Sequence, residues 1–185
     1  DHFTLEKQGY ASSRVLPFVE LLPQHLTEET AYGYRDYRLP FGANQKSFVK
    51  KYIYTGFLKS YYRTYKFDST TELDFACLLE NDSKVLRWLR PVPNQFKIYW
   101  SNGAHLYEPD FIVETVEKIY MIETKAEKEL NNDEVQEKKK AASEYCTIVS
   151  EYMAHNGGKP WQYILIPHNA VGRTLGLQYV LASLC

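Results

Sequence analysis

Two carboxylates and a lysine lie near one another in the middle of this chain: Asp110 in Tyr107-Glu108-Pro109-Asp110-Phe111, and Glu123 and Lys125 in Ile122-Glu123-Thr124-Lys125. Asp110 and Glu123 are hard oxygen ligands of the kind Mg²⁺ prefers, and the backbone carbonyl of Thr124 offers a third. A cation held there would stabilise charge on a scissile phosphate and help to activate a water. Lys125 is a point cation that can orient this water or stabilise developing negative charge. The plainer alternative makes Asp110 a turn or strand-end residue and Glu123 with Lys125 a surface ion pair on an edge strand. Against it stands the apolar framing, Phe111-Ile112-Val113 and Ile119-Tyr120-Met121-Ile122, which marks both segments as core strands where unused charge is costly.

Two more charged residues have double readings. Glu72, three residues after Ser69, either closes a capping box or faces the sheet and helps hold a metal and its waters. Lys138 is either an inward lysine near the site or a solvated member of Lys138-Lys139-Lys140. His105 and His168 have no nucleophile or ligand partner in the pattern and are assigned to structure or solvent.

The elements that must position these groups follow from periodicity and turn chemistry. Asn102-Gly103 suits a two-residue type I′ turn, which predicts a hairpin between residues 96–100 and a strand over 105–115. A reversal near residues 115–118 then returns the chain along 119–124. Side chains alternate faces along a strand and neighbouring strands lie about 4.8 Å apart, so Glu123 and Lys125 share a face that Asp110 can join. Ser69-Thr70-Thr71-Glu72 predicts a helix start, and Val85, Leu86, Trp88 and Leu89 a buried segment stopped by Arg90-Pro91. A long helix with Val135, Lys138 or Lys139, Ala142, Tyr145 or Cys146, Val149 and Met153 at intervals of three and four on one stripe should end at Asn156-Gly157-Gly158. A β-rich run over 161–166 closed by Pro167 and a helix over about 172–184 complete the order helix, three strands, helix, strand, helix. That order points to an α/β fold with a mixed sheet flanked by helices. Residues 1–66 read as an irregular lead-in of short strands and turns, and 67–185 as the core.

Composition fits one intracellular α/β domain. The chain has 185 residues, 44% hydrophobic and 24% charged, with a net charge of −1, so its overall charge does not advertise nucleic-acid binding. Its three cysteines show no zinc spacing and suit a reduced compartment, and no signal peptide or apolar span of membrane length stands out. The sixteen tyrosines are an excess. Between Arg35 and Lys66 eight cations stand against Asp36 alone and interleave with Tyr52, Tyr54, Phe57, Tyr61, Tyr62 and Tyr65. This mixture fits either a nucleic-acid surface or a solvated basic face over packed tyrosines. The chain starts at Asp1 rather than Met, which suggests a piece cut from a longer polypeptide.

Pro109-Asp110 and Glu123-Thr124-Lys125 resemble the motif of the PD-(D/E)xK nuclease superfamily. The wider ordered series includes Lys66-Phe67-Asp68-Ser69-Thr70-Thr71-Glu72, Leu79-Glu80, Trp88, Tyr107 to Phe111, Glu123 to Ala126, Gly158-Lys159-Pro160-Trp161 and Leu165-Ile166-Pro167-His168. It resembles the C-terminal endonuclease domain of type III restriction enzyme Res subunits and related DEAD/DEAH helicase-nucleases. The resemblance implies a restriction-endonuclease-like fold with a core in αβββαβ order. It implies a Mg²⁺-dependent DNA endonuclease, with Mn²⁺ as a substitute, in a prokaryotic cytoplasm. Double-stranded DNA, a helicase or translocase domain of the same polypeptide and a DNA methyltransferase subunit are the implied partners. ATP would be used only by that helicase domain, since no Walker A pattern occurs in these residues. Asp110 and Glu123 would be metal ligands and Lys125 the catalytic lysine. Glu72 matches an acid that many superfamily members carry on the first core helix, and Lys138 sits where relatives place a lysine or glutamine. Tyr145-Cys146 departs from an expected Trp-Cys. The rival reading is a silent DNA-binding or docking module that keeps the nuclease fold.

Overall fold

The computed structural model describes residues 32–184, apart from Lys97 and Asn102. From residue 32 the lead-in forms two short parallel strands, β1 (Tyr34–Asp36) and β2 (Ile53–Thr55), joined through a 3-10 helix at Ala43–Lys51. Tyr54, Phe57, Tyr61, Tyr62 and Tyr65 are buried in the same hydrophobic core as the elements that follow. Lys46, Lys50, Lys51 and Arg63 remain on the surface. Five of the six interleaved rings therefore fill the core and are not available to stack on bases, while Tyr52 is only partly buried against it.

Ser69 opens helix α1 (Thr70–Asn81) as its sequence predicts, its Oγ accepting from the Glu72 N–H at 3.1 Å. The Glu72 carboxylate reaches back to the N–H of Asp68 at 2.8 Å, one residue before the cap. Leu73, Phe75, Ala76, Leu78 and Leu79 are buried, and Phe75 meets the Phe111 ring at 5.1 Å, which sets the helix against the strand that follows Asp110. Glu80 is buried too, and accepts from the N–H groups of Leu58 and Lys59 and from the Trp88 indole at 2.8–2.9 Å. One carboxylate thus ties the lead-in, α1 and the next strand together.

The main sheet has four strands: β3 (Val85–Leu89), then, after a separate hairpin of β4 (Ile98–Trp100) and β5 (His105–Tyr107), β6 (Phe111–Thr115), β7 (Ile119–Lys125) and β8 (Trp161–Pro167). Its order is β3-β6-β7-β8, antiparallel except for the parallel β7–β8 pair. The lead-in closes the outer edge of β3 through Tyr61 N–H to Trp88 O at 3.0 Å and Trp88 N–H to Lys59 O at 3.1 Å.

Three expectations need correction. The first of the three consecutive sheet strands is 85–89, not 96–100, so a two-stranded hairpin interrupts the simple order. The strand expected over 105–115 is split at Glu108-Pro109-Asp110, because proline has no N–H to give a ladder and leaves β5 and β6 in different sheets. Trp100 pairs with His105, so residues 101–104 form a four-residue connection in place of the two-residue turn.

Helix α2 (Asp133–His155) buries Val135, Ala142, Cys146, Val149 and Met153; of the predicted stripe, Cys146 rather than Tyr145 is the buried member, while Lys138 is only partly covered and Lys139 is exposed. It ends at Asn156, followed by Gly157 in the left-handed region at φ +67°. Lys159 then ion-pairs with buried Glu114 at 2.7 Å and donates to Thr115 O, pinning the α2–β8 connection to the end of β6. The last helix is shorter than expected: α3 spans Leu177–Ala182, after a 3-10 turn at His168–Ala170. Among the described residues no helix is long and apolar enough to cross a membrane.

Candidate active site

Phe111 pairs with Ile122 across β6 and β7, so Asp110, one step outside β6, lies across from Glu123. Thr124 fixes it there, its N–H and its hydroxyl both donating to Asp110 Oδ2, at 2.8 and 2.9 Å. The sequence reading gave Thr124 only a backbone carbonyl; its side chain and amide proton instead lock the aspartate rotamer. Glu123 is buried while Lys125, two residues on, is half-buried, and Lys125 Nζ lies 2.8 Å from Glu123 Oε1. The three groups of the motif therefore come together at the end of two core strands.

Electrostatics distinguish this cluster from an ordinary ion pair. Burial and then the charge of Asp110 push the Glu123 carboxyl from 4.5 up to about 7, although Lys125 and Tyr107 work in the other direction. Burial disfavours the Lys125 ammonium, but Glu123 and Asp110 outweigh it and hold that lysine above its ordinary value. One lysine thus does not offset two carboxylates, and a cation beside Asp110 and Glu123 would remove the repulsion. Among the described residues no third His, Cys, Asp or Glu completes a cluster of three that could hold a metal ion. The donor set fits a hard cation that keeps several waters, as Mg²⁺ does, rather than one caged by protein.

Glu72 stands differently. Its carboxylate is ion-paired to Arg90, whose other terminal nitrogen binds Asp68 at 2.8 Å. Arg90 is mostly buried; burial disfavours its charge, yet Glu72, Asp110 and Asp68 together hold its pKa above the ordinary value. Arg90 therefore stands between Glu72 and the site, which sequence reasoning missed because it treated Arg90 only as the stop after β3. Lys138 ion-pairs with Glu134 and sits 4.9 Å from the centre of the Trp100 ring. It belongs to the junction of α2 with the β4–β5 hairpin, where exposed His105 also lies against Trp100, 5.0 Å between ring centres. His168 is in the turn after β8.

A further missed group is Tyr107, whose hydroxyl donates to Glu123 Oε2 at 2.9 Å from the last position of β5. Tyr163 on β8 is its ring neighbour, 6.5 Å between ring centres. Its place in the Tyr-Glu-Pro-Asp run was the available signal, since an aromatic with a polar tip at a buried strand end needs a partner.

A family model described as an endonuclease domain matches residues 58–150, from Leu58, whose N–H Glu80 accepts, to the last third of α2, and so takes in Asp110, Glu123 and Lys125. No curated protein matches the chain. The match covers half of the 185 residues, and the chain belongs to this endonuclease-domain family, as a restriction-endonuclease-like nuclease domain.

Proposed function

We propose that this nuclease domain is a Mg²⁺-dependent DNA endonuclease that works as part of a larger type III restriction or helicase-nuclease subunit, with Mn²⁺ as a substitute metal. The observation that carries the reading is the convergence of Asp110, Glu123 and Lys125 at the ends of β6 and β7, with Asp110 Oδ2 held by two bonds from Thr124 and Lys125 Nζ 2.8 Å from the buried Glu123. Structural ion pairs balance their charge; this cluster carries an excess negative charge at the end of a core sheet.

In this reading Asp110, Glu123 and the Thr124 carbonyl would hold the metal, which when bound would supply Lewis-acid stabilisation of the phosphate and a more acidic water. Thr124 keeps Asp110 in a single rotamer through its two bonds to Oδ2. Lys125 exchanges its contact with Glu123 for one with the attacking water or a phosphate oxygen, and so stabilises negative charge as it develops. Glu72 bears on the site through Arg90 or a bridging water, since Arg90 already holds its carboxylate. Lys138, with Trp100 and His105, offers cationic and aromatic contact to DNA beside the scissile bond. The ATP-driven motor and the methyltransferase partner rest on the ordered motif series alone.

Cleavage of supercoiled and linear duplex DNA, with Mg²⁺ and with EDTA, tests the reading in the full-length polypeptide. Asp110→Ala and Lys125→Ala should each abolish metal-dependent cutting, and Lys125→Ala should still bind Mn²⁺. Wild-type cutting by Asp110→Ala would sink the assignment.

A further inference from the structure

Both oxygens of Glu123 are engaged: Oε1 by Lys125 and Oε2 by Tyr107, at 2.8 and 2.9 Å. The two contacts differ in kind. Lys125 is half-buried, on a flexible stem, at the open end of β7. Tyr107 is buried, and its ring is held by β5 and by the Tyr163 ring on β8. Its hydroxyl carries one proton, and that proton is given to Glu123.

The main sheet brings Tyr163 close by, but the donor to Glu123 Oε2 is Tyr107, which lies outside that sheet. Tyr107 arrives through the β4–β5 hairpin, whose partner strand places Ile98 opposite it, and Pro109 then releases the chain into β6. The interruption that separates two sheets thus puts a rigid donor against one oxygen of Glu123 from outside the β6–β7 ladder. Carboxylates that bind metals are commonly held in turn by such outer hydrogen bonds, which fix the lone pairs offered to the ion.

From this we infer that Tyr107 is a positioning residue for the metal: it clamps Glu123 Oε2, so that Oε1 is the oxygen that leaves Lys125 and coordinates the cation. This rests on the metal-dependent reading above. Lys125, once displaced, is delivered toward the substrate, so one carboxylate oxygen serves as a fixed anchor and the other as an exchangeable contact.

Tyr107→Phe keeps the ring and removes only the hydroxyl. Mn²⁺ binding to the 185-residue chain by titration calorimetry, at pH 7.5, should weaken by about 10–100-fold, the usual cost of losing an outer-shell partner. Binding of a duplex oligonucleotide without divalent metal should be unchanged, because Tyr107 does not face DNA in this scheme. The same hydroxyl deletion in a Glu123→Gln background should produce no further loss. Wild-type Mn²⁺ affinity in Tyr107→Phe overturns the inference and leaves the metal reading intact. A loss that persists undiminished in the Glu123→Gln background also overturns it, since the tyrosine would then act by another route. If the wild-type chain itself binds no Mn²⁺ while the duplex still binds, the metal reading fails and this inference fails with it.

Discussion

Replacing Glu123 by glutamine should make the metal-free protein more stable at pH 8, although it destroys a residue of the site. The folded carboxyl is raised from 4.5 to about 7 by burial and by the Asp110 charge. Between those values the folded protein holds a proton that the unfolded chain has released, so stability falls as the pH rises. Below the lower value both states are protonated and no penalty applies; above the upper value the penalty is complete. At about 1.4 kcal/mol for each pH unit the window is worth about 3 kcal/mol. Glutamine abolishes that penalty and its carbonyl can still accept from Tyr107. The value of about 7 already includes the favourable Lys125 pair, so nothing further is subtracted for losing it. The net gain is about 3 kcal/mol at pH 8 and close to zero at pH 4.5, or about 6–12 °C in Tm for a chain of this length. Urea unfolding in EDTA, followed by tryptophan fluorescence at half-unit steps from pH 4.5 to 8.5, reads both the offset and the slope. Mg²⁺ added at pH 8 should stabilise the wild type and leave the variant unchanged. A variant less stable than wild type at pH 8, or a flat wild-type profile between pH 5 and 8, would refute the argument that excess negative charge is stored at this site.

Arg90→Ala should cost about 3 kcal/mol, because it strands Glu72, a mostly buried carboxylate, without its cation. Arg90→Lys should recover only part of this in chemical denaturation, since one ammonium cannot reproduce a fork that serves Glu72 and Asp68 together. Glu80→Ala leaves the N–H groups of Leu58 and Lys59 and the Trp88 indole without their acceptor, a loss of about 3–6 kcal/mol. Hydrogen exchange should then accelerate first at residues 58–61, and the folded fraction of that variant should keep its metal affinity.

The parts of this molecule that the sequence made legible are those built from near neighbours in the chain. The Ser69 cap, the stripe of α2 and the β6–β7 hairpin follow from spacings of two to four residues, and the hairpin alone is enough to oppose Asp110 and Glu123. What escaped depends on contacts that no local pattern encodes. Arg90 meets Glu72 across eighteen positions, and Tyr107 reaches Glu123 across sixteen by way of a sheet that Pro109 splits off. Burial alone would not have identified the site either. Glu80, Glu114 and Glu123 are all buried carboxylates. Three donors saturate Glu80, and Lys159 closes the ion pair with Glu114, so both read as structural clasps. Glu123 also has a lysine and a hydroxyl donor, but it shares its space with a second carboxylate that Thr124 holds in place. A sheet that merely needed stability would relax such a repulsion by turning Asp110 to solvent. Two hydrogen bonds from Thr124 prevent that turn, and an arrangement that retains repulsion by design is suited to a cation arriving from outside the chain.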